Sequence, residues 1–297
     1  MPTNEGYITV EDGVRLFYET AGDGEETLVV LNGFFLFNDF KHLAEGRTLI
    51  GLDLRNRGRS DYVSDGSKLS GVQQDVEDIE AVRRHFQVDR MDLIAHSYAG
   101  IIPILYTMRY PARVRRVVQL SPLQPDQSTK YLAHLTNADA ILQQFFASVW
   151  ELQKQSQALD PQEFCRKFWT LLRPLYVANP ADAEKIRHWE GCHLPTELNL
   201  MKYWTEVLMP SIQRLHFTPD DFEKVQSPVL TVHGTKDRSS PYGGGREWAL
   251  MLPNARLLTI ENVAHAPWIE APEKVYGPVR TFLDGAWPKA AEKIESL

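Results

Sequence analysis

Cysteine is scarce in this chain: 297 residues include only Cys165 and Cys192. The two lie far apart and lack the close grouping with other thiols or histidines that a metal site needs, so no metal-stapled fold is expected. A single bridge between them is open, but a lone pair reads more readily as reduced thiols in a reducing compartment. A basic excess is also missing. Lys and Arg number 32 against 39 Asp and Glu, a net charge of −7, which argues against a nucleic-acid partner. The densest basic cluster, Arg113, Arg115 and Arg116, falls where a helix gives way to a strand, and positive charge there suits the helix dipole. No apolar run approaches the roughly 18 residues that would suggest a membrane span. The N-terminus, Met-Pro-Thr-Asn-Glu-Gly, has neither the basic start nor the apolar core of a secretory signal. Together these absences lead to the expectation of a cytoplasmic protein with neither nucleic-acid nor membrane partners. They set no oligomeric state.

What is present is ordinary for a globular protein, 43% hydrophobic and 24% charged residues. The length suits one large α/β domain carrying an insertion. The most informative stretch is Met91-Asp-Leu-Ile-Ala95-His96-Ser97-Tyr98-Ala99-Gly100. A short apolar run with strand character passes into a helical pattern, with only His96 and Ser97 between them. Such a bend crowds the backbone at its tip, and Ala95 and Ala99, two residues either side of Ser97, are small enough to let it close. The pattern is that of a G-x-S-x-G nucleophile elbow with alanine at both glycine positions. A strand-to-helix turn that merely carries a serine is the plainer alternative.

Around this stretch strands and helices alternate. Gly6 to Val10 and Val14 to Thr20 flank Glu11-Asp12-Gly13, a hairpin signal. Buried-strand runs follow at Thr27 to Leu31, Arg47 to Leu54 and Arg113 to Leu120. Helical spacing appears at Ser70 to Phe86 and Tyr98 to Arg109. This is the signature of a mostly parallel, doubly wound sheet. From Pro122 to about Phe222 no strand is expected. Helices are expected instead at Asp139 to Leu159, Pro161 to Leu172, Ala181 to Trp189 and Leu198 to Met209. We expect residues 1–121 and 226–297 to form an α/β core and 122–225 a helical cap. Strands resume at Pro228 to Val232 and Ala255 to Ile260. Helices are expected at Gly245 to Leu252 and Pro272 to Phe282, and the tail from Pro288 reads as a frayed helix.

Serine is a weak nucleophile unless a base takes its proton, and the base needs an orienting carboxylate. Asp237 follows one late strand and His265 the next. The order Ser97, Asp237, His265 and the strand-end placement of each fit a catalytic triad in an open α/β sheet. Asp126, after an earlier strand, is the fallback acid. Taken singly, Asp237 could be a turn residue and His265 a satisfied loop side chain.

With these residues in hand the sequence resembles the α/β-hydrolase fold family over nearly its whole length. That resemblance implies an oxyanion hole built from the N–H groups of Tyr98 and Phe34, although Asn32-Gly33 stands where the family usually has His-Gly. It implies mostly structural roles for Asp53 and Arg55 in the loop Asp53 to Ser60. His96 matches the family's common histidine before the nucleophile and, adjacent at a bend, is not the base. Phe34, Phe35, Leu36 and Phe37 suggest a hydrophobic pocket, with Phe35, Phe37 and Trp268 as candidate substrate contacts. Burial in the core is the alternative for these aromatics. An aspartate nucleophile, as in haloalkane dehalogenases and many epoxide hydrolases, is disfavoured by Ser97. The expected function is a serine esterase acting on a small carboxylic ester, with no metal and no cofactor. Proline iminopeptidase-like cleavage is the alternative, with Glu190 and Glu197 holding the substrate amine if they are not surface acids. Carbon–carbon bond hydrolases, perhydrolases and triad-bearing receptors share the same residues.

Overall fold

The computed structural model describes residues 3–136, 139–156 and 158–297. Nine strands make one sheet: β1 Thr3–Thr9, β2 Arg15–Ala21, β3 Glu26–Leu31, β4 Arg47–Leu52, β5 Met91–His96, β6 Val114–Leu120, β7 Val229–Gly234, β8 Ala255–Ile260 and β9 Ala291–Glu292. Their order is β1-β2-β4-β3-β5-β6-β7-β8-β9. β3 to β8 pair in parallel, while β1, β2 and β9 join antiparallel at the edges. The hairpin closes with Val10 N–H donating to Val14 O at 2.9 Å, and Gly13 supplies the positive φ of 83° that the tight turn needs. The short tail is not a helix: Ala291–Glu292 pairs with Leu257 and Leu258 of β8.

The central strands are buried on both faces, which explains their unbroken apolar runs. One face packs Val29, Leu31, Leu93 and Ala95 against helices α2 (Val72–His85) and α3 (Ile101–Arg109). Here α1 is Gly33–Phe40, a helix begun directly after β3 where the sequence suggested only a turn. It packs Phe37 and Phe40 with Leu28, Val30 and Ile94 on the other face, together with Val275 and Phe282 from the late helix. Two buried ion pairs tie α2 to the loop after β4. Arg55 Nη2 meets Asp78 Oδ1 at 2.8 Å, and Arg57 Nη2 meets Asp75 Oδ2 at 2.5 Å.

Between β6 and β7 the described residues form helices and turns without a strand. Helix α4 (Ala140–Lys154) is N-capped by Asp139, whose carboxylate accepts from Ile141 and Leu142 N–H. It ends before the expected Leu159, and Gln157 lies outside the described residues. Helix α5 (Pro161–Leu172) starts as its proline and the Asp160 cap dictate. The expected helix Ala181 to Trp189 is instead two tight turns, Pro180–Lys185 and His188–Gly191, separated by Ile186 in an extended conformation. The helix expected from Leu198 to Met209 is divided by a wider turn at Trp204–Leu208. Pro210 follows, and the wider turn accommodates its missing N–H and its ring.

The expectation of reduced thiols is corrected. Cys165 of α5 and Cys192 after the second turn form a disulfide with a Cα separation of 5.7 Å. Both sit in a small cluster with Trp169 that folding brings together, which sequence distance concealed. The cytoplasmic expectation leaned on those thiols and loses that support. Among the described residues no helix is long and apolar enough to cross a membrane.

Candidate functional site

Ser97 is the point at which β5 ends. His96 is still extended, with φ −119° and ψ 146°, whereas Ser97 has φ 60°, in the left-handed region. A non-glycine residue there is strained unless its surroundings hold it. Fully buried Ala95 and Ala99 flank the bend, and Leu123 N–H donates to Ser97 O at 3.1 Å. The serine side chain stands at the start of a short 3-10 turn, Ser97–Gly100, that leads into α3. β3 and β5 are neighbours around which the strand order reverses, so Ser97 occupies the switch point of the sheet.

Asp237 and His265 are joined directly: His265 Nδ1 donates to Asp237 Oδ2 at 2.8 Å, and both are buried. The carboxylate is held from every side. Its Oδ1 accepts from the N–H groups of Ser239 and Ser240 at 2.8 and 2.9 Å. Its Oδ2 also accepts from His233 Nε2 at 3.1 Å. Burial by itself raises this carboxyl, but His265 and His233 outweigh it and hold Asp237 below the ordinary carboxylate range. Asp126 is elsewhere: it is exposed and bonds Ser128. No hydrogen bond joins Ser97 Oγ to His265 in this structure, and such contacts are often long before substrate binds.

His96 fixes the other side of His265. Its Nε2 donates to the His265 backbone carbonyl at 2.9 Å. Burial and the neighbouring His265 push its pKa well down, so it stays neutral. Tyr176, from the β6–β7 segment, lays its ring edge-on to His265 at 4.9 Å and accepts Ala266 N–H on its carbonyl. His233, His96 and Tyr176 thus all hold the Asp237–His265 pair. The sequence signalled His233 only through its position four before Asp237, and gave no signal for Tyr176.

The expected oxyanion donors have different surroundings. Tyr98 follows Ser97, and its hydroxyl accepts from Asn32 Nδ2 at 3.2 Å. Asn32 itself takes φ 58° and ψ 53°, a left-handed conformation that asparagine tolerates well. Asparagine in place of histidine thereby makes a tie between the loop after β3 and the residue after the nucleophile. The Phe34 N–H, expected to be free, is instead occupied, donating to Asp53 Oδ1 at 2.5 Å. Asp53 follows directly on β4, beside β3, and is fully buried, so its carboxylate draws in the unpaired amide at the start of α1.

The candidate substrate contacts divide. Phe35 is half-buried and meets His188 and Trp169 at ring distances of 4.1 and 5.9 Å. His188 also stacks edge-on to Tyr176 at 5.4 Å. These rings form an aromatic wall beside His265, with Phe35 from α1 and Trp169, Tyr176 and His188 from the β6–β7 segment. Burial, and then His265, push His188 down to about 3, so it too is neutral. Phe37 and Trp268 belong to the core instead. Phe37 is sealed against Gly51 of β4. Trp268 is 3% exposed and donates to Asp39 at 2.7 Å. Glu190 is turned to the surface, where it pairs with Arg187. Glu197 is the opposite of a surface acid: it is 3% exposed and accepts Gly58 N–H at 3.2 Å. Burial pushes its carboxyl up to about 7, with Asp53 adding to the effect and Gly58 N–H and Arg57 opposing it.

Among the described residues no cluster of three or more His, Cys, Asp or Glu could hold a metal ion. The sequence profile of the alpha/beta hydrolase fold matches residues 27–272. A bifunctional esterase/perhydrolase of Acinetobacter calcoaceticus is 25% identical, over 90% of this chain and 95% of that protein. A proline iminopeptidase of Clostridioides difficile is 22% identical, over 96% and 99%. Among solved structures, a serine hydrolase from the polyaromatic-hydrocarbon-degrading bacterium Cycloclasticus zankles superposes with a TM-score of 0.72. It is 16% identical and covers 96% of this chain and 99% of its own.

Proposed function

The chain belongs to the alpha/beta hydrolase fold family, and from that premise we propose that it is a serine hydrolase of small carboxylic esters. The observation that carries this reading is the 2.8 Å Asp237–His265 pair at the strand ends beside a serine held at φ 60°. In the proposed reaction Ser97 Oγ attacks the ester carbonyl while His265 Nε2 takes its proton. Asp237 stabilises the imidazolium and fixes the ring so that Nε2 faces the serine. The alcohol leaves with that proton, giving an acyl-serine. Water, deprotonated by the same imidazole, then releases the acid. The Tyr98 N–H supports the oxyanion, and Phe34 N–H joins it only when Asp53 releases it. Residues 122–225 act as a cap that places the aromatic wall against the substrate. The roles use neither metal nor cofactor.

A second reading, aminopeptidase action on prolyl amides, is favoured by one observation: Glu197 is a buried carboxyl on the cap. A purified-enzyme panel of short and long acyl p-nitrophenyl esters beside prolyl p-nitroanilide separates the two. Efficient ester turnover with no anilide cleavage is expected. Efficient anilide cleavage would replace the esterase reading, and failure to turn over any activated ester would favour a small-molecule receptor.

A further inference from the structure

Glu197 has two carboxyl oxygens with unlike surroundings. Oε1 accepts the Gly58 N–H at 3.2 Å, and the neighbouring Thr196 hydroxyl donates to Gly58 O, so both polar groups of Gly58 are clamped. Oε2 is buried and, among the described residues, finds no hydrogen-bond partner. Leaving a buried polar atom unpaired is costly, so a partner supplied by a ligand is favoured. The atom is also near the chemistry. A side chain at Gly191 would collide at once with Phe34 Cε1 at 2.8 Å and Glu197 Cγ at 2.9 Å. Phe34 and Glu197 therefore flank the same backbone, and Phe34 stands in the first turn of α1, two residues after Asn32, whose amide bonds the side chain of the residue that follows Ser97. Tyr176, which packs on His265, lies within the electrostatic reach of both Glu197 and Asp237.

Resting on the esterase reading, we propose that Glu197 is a specificity-determining residue whose Oε2–H donates to an uncharged oxygen on the substrate, such as an ether, carbonyl or hydroxyl. The preferred substrate is then an ester bearing a second oxygen function, not a purely aliphatic one. The charged groups facing Glu197 are Asp53 and Arg57, with the Tyr176 hydroxyl beyond them. Arg57 disfavours a second cation, and Glu190, which could have shared an ammonium, is engaged by Arg187 at the surface. The carboxyl is neutral below about pH 7, since burial raises it to there, and so is a donor. As pH rises through that value the proton is lost and with it the donor. Oε2 is covered, so a ligand reaches it as the side chains over it turn, and side-chain rotation on binding is ordinary.

The test compares isosteric p-nitrophenyl esters in which one methylene is replaced by oxygen: butanoate with methoxyacetate, pentanoate with 3-methoxypropanoate, hexanoate with 4-methoxybutanoate. In each pair the KM ratio cancels any pH effect common to both esters. At least one oxygen-bearing ester should show a KM about fivefold lower, the size of one net hydrogen bond. That preference should fade as pH rises through 7, persist at all pH in Glu197→Gln, which keeps a neutral donor, and vanish in Glu197→Leu. The same ratio read as Kd by tryptophan fluorescence on Ser97→Ala tests the subsite even if the esterase reading fails. Equal KM and Kd within every pair would overturn the proposal, as would a preference that survives in Glu197→Leu. So would cleavage of prolyl p-nitroanilide with a KM that falls as pH rises through 7, because that marks an ionised Glu197 holding an amine.

Discussion

The sheet and the β6–β7 helical segment are held together by different means. In the sheet, strands β3, β5 and β7 are almost wholly buried, and the charged residues beside them are paired in the interior, as Arg57 is with Asp75. In the helical segment, the 15 residues of α4 bury only Leu152, and Phe146 and Trp150 are 63% and 66% exposed. Beyond the residues that it sends into the shared cores, such as Val177, Ile186, Leu208 and Ile212, that segment is held by a few specific ties. One is the Cys165–Cys192 bridge. Others run to the core: Thr196 and Glu197 to Gly58, Tyr203 to Arg57, Asp139 to Arg238, and the N–H groups of Ala178 and Asn179 to Glu270. The groups assigned to bond-making stand on the rigid layer, and those assigned to recognition stand mostly on the tied one.

The comparison can be broken most severely at the sheet. His265→Ala should lower kcat on the order of 10⁴-fold, and Asp237→Asn by less, with unfolding curves close to wild type. Steady-state kinetics beside chemical denaturation checks this. A large fall in activity from Asp126→Asn with Asp237→Asn silent would mean that the orienting acid is misassigned. Next in size is Asp75→Asn, which leaves Arg57 buried without its charge. It should cost about 3–5 kcal/mol of global stability by urea denaturation, since half of a buried pair is worse than none. Smaller again is replacement of both cysteines by serine. The loss should be about 2–4 kcal/mol, confined to the helical segment. Hydrogen exchange should show faster opening at 161–192 and unchanged protection in β3, β5 and β7. Loss of protection across the whole sheet would mean that the two regions are not separable.

The same contrast explains what could be read from the sequence. Buried parallel strands carry long apolar runs, so Leu28 to Leu31, Leu93 to Ala95 and Val229 to Val232 were legible, as was the placement of Ser97, Asp237 and His265 at strand ends. The helical segment was harder because its structure depends on distant contacts. Cys165 of α5 and Cys192 are 27 residues apart and meet just after the turn at His188–Gly191, where the sequence suggested a helix from Ala181 to Trp189. Glu190 and Glu197 looked alike in sequence, yet one pairs with Arg187 in solvent and the other is sealed against Gly58. Phe34 misled for another reason: a backbone N–H gives no clue in sequence to which carboxylate will occupy it. Trp268 and Phe37 were read as candidate pocket residues, and packing against Asp39 and Gly51 placed both in the core.

The central claim is that Ser97 is a nucleophile activated by His265. The most direct measurement is labelling of the intact protein with a fluorophosphonate, followed by peptide mapping by mass spectrometry. The account expects one phosphonyl adduct, on Ser97, absent in Ser97→Ala and strongly slowed in His265→Ala. Labelling on another residue, or labelling of Ser97 at the same rate without His265, would contradict it.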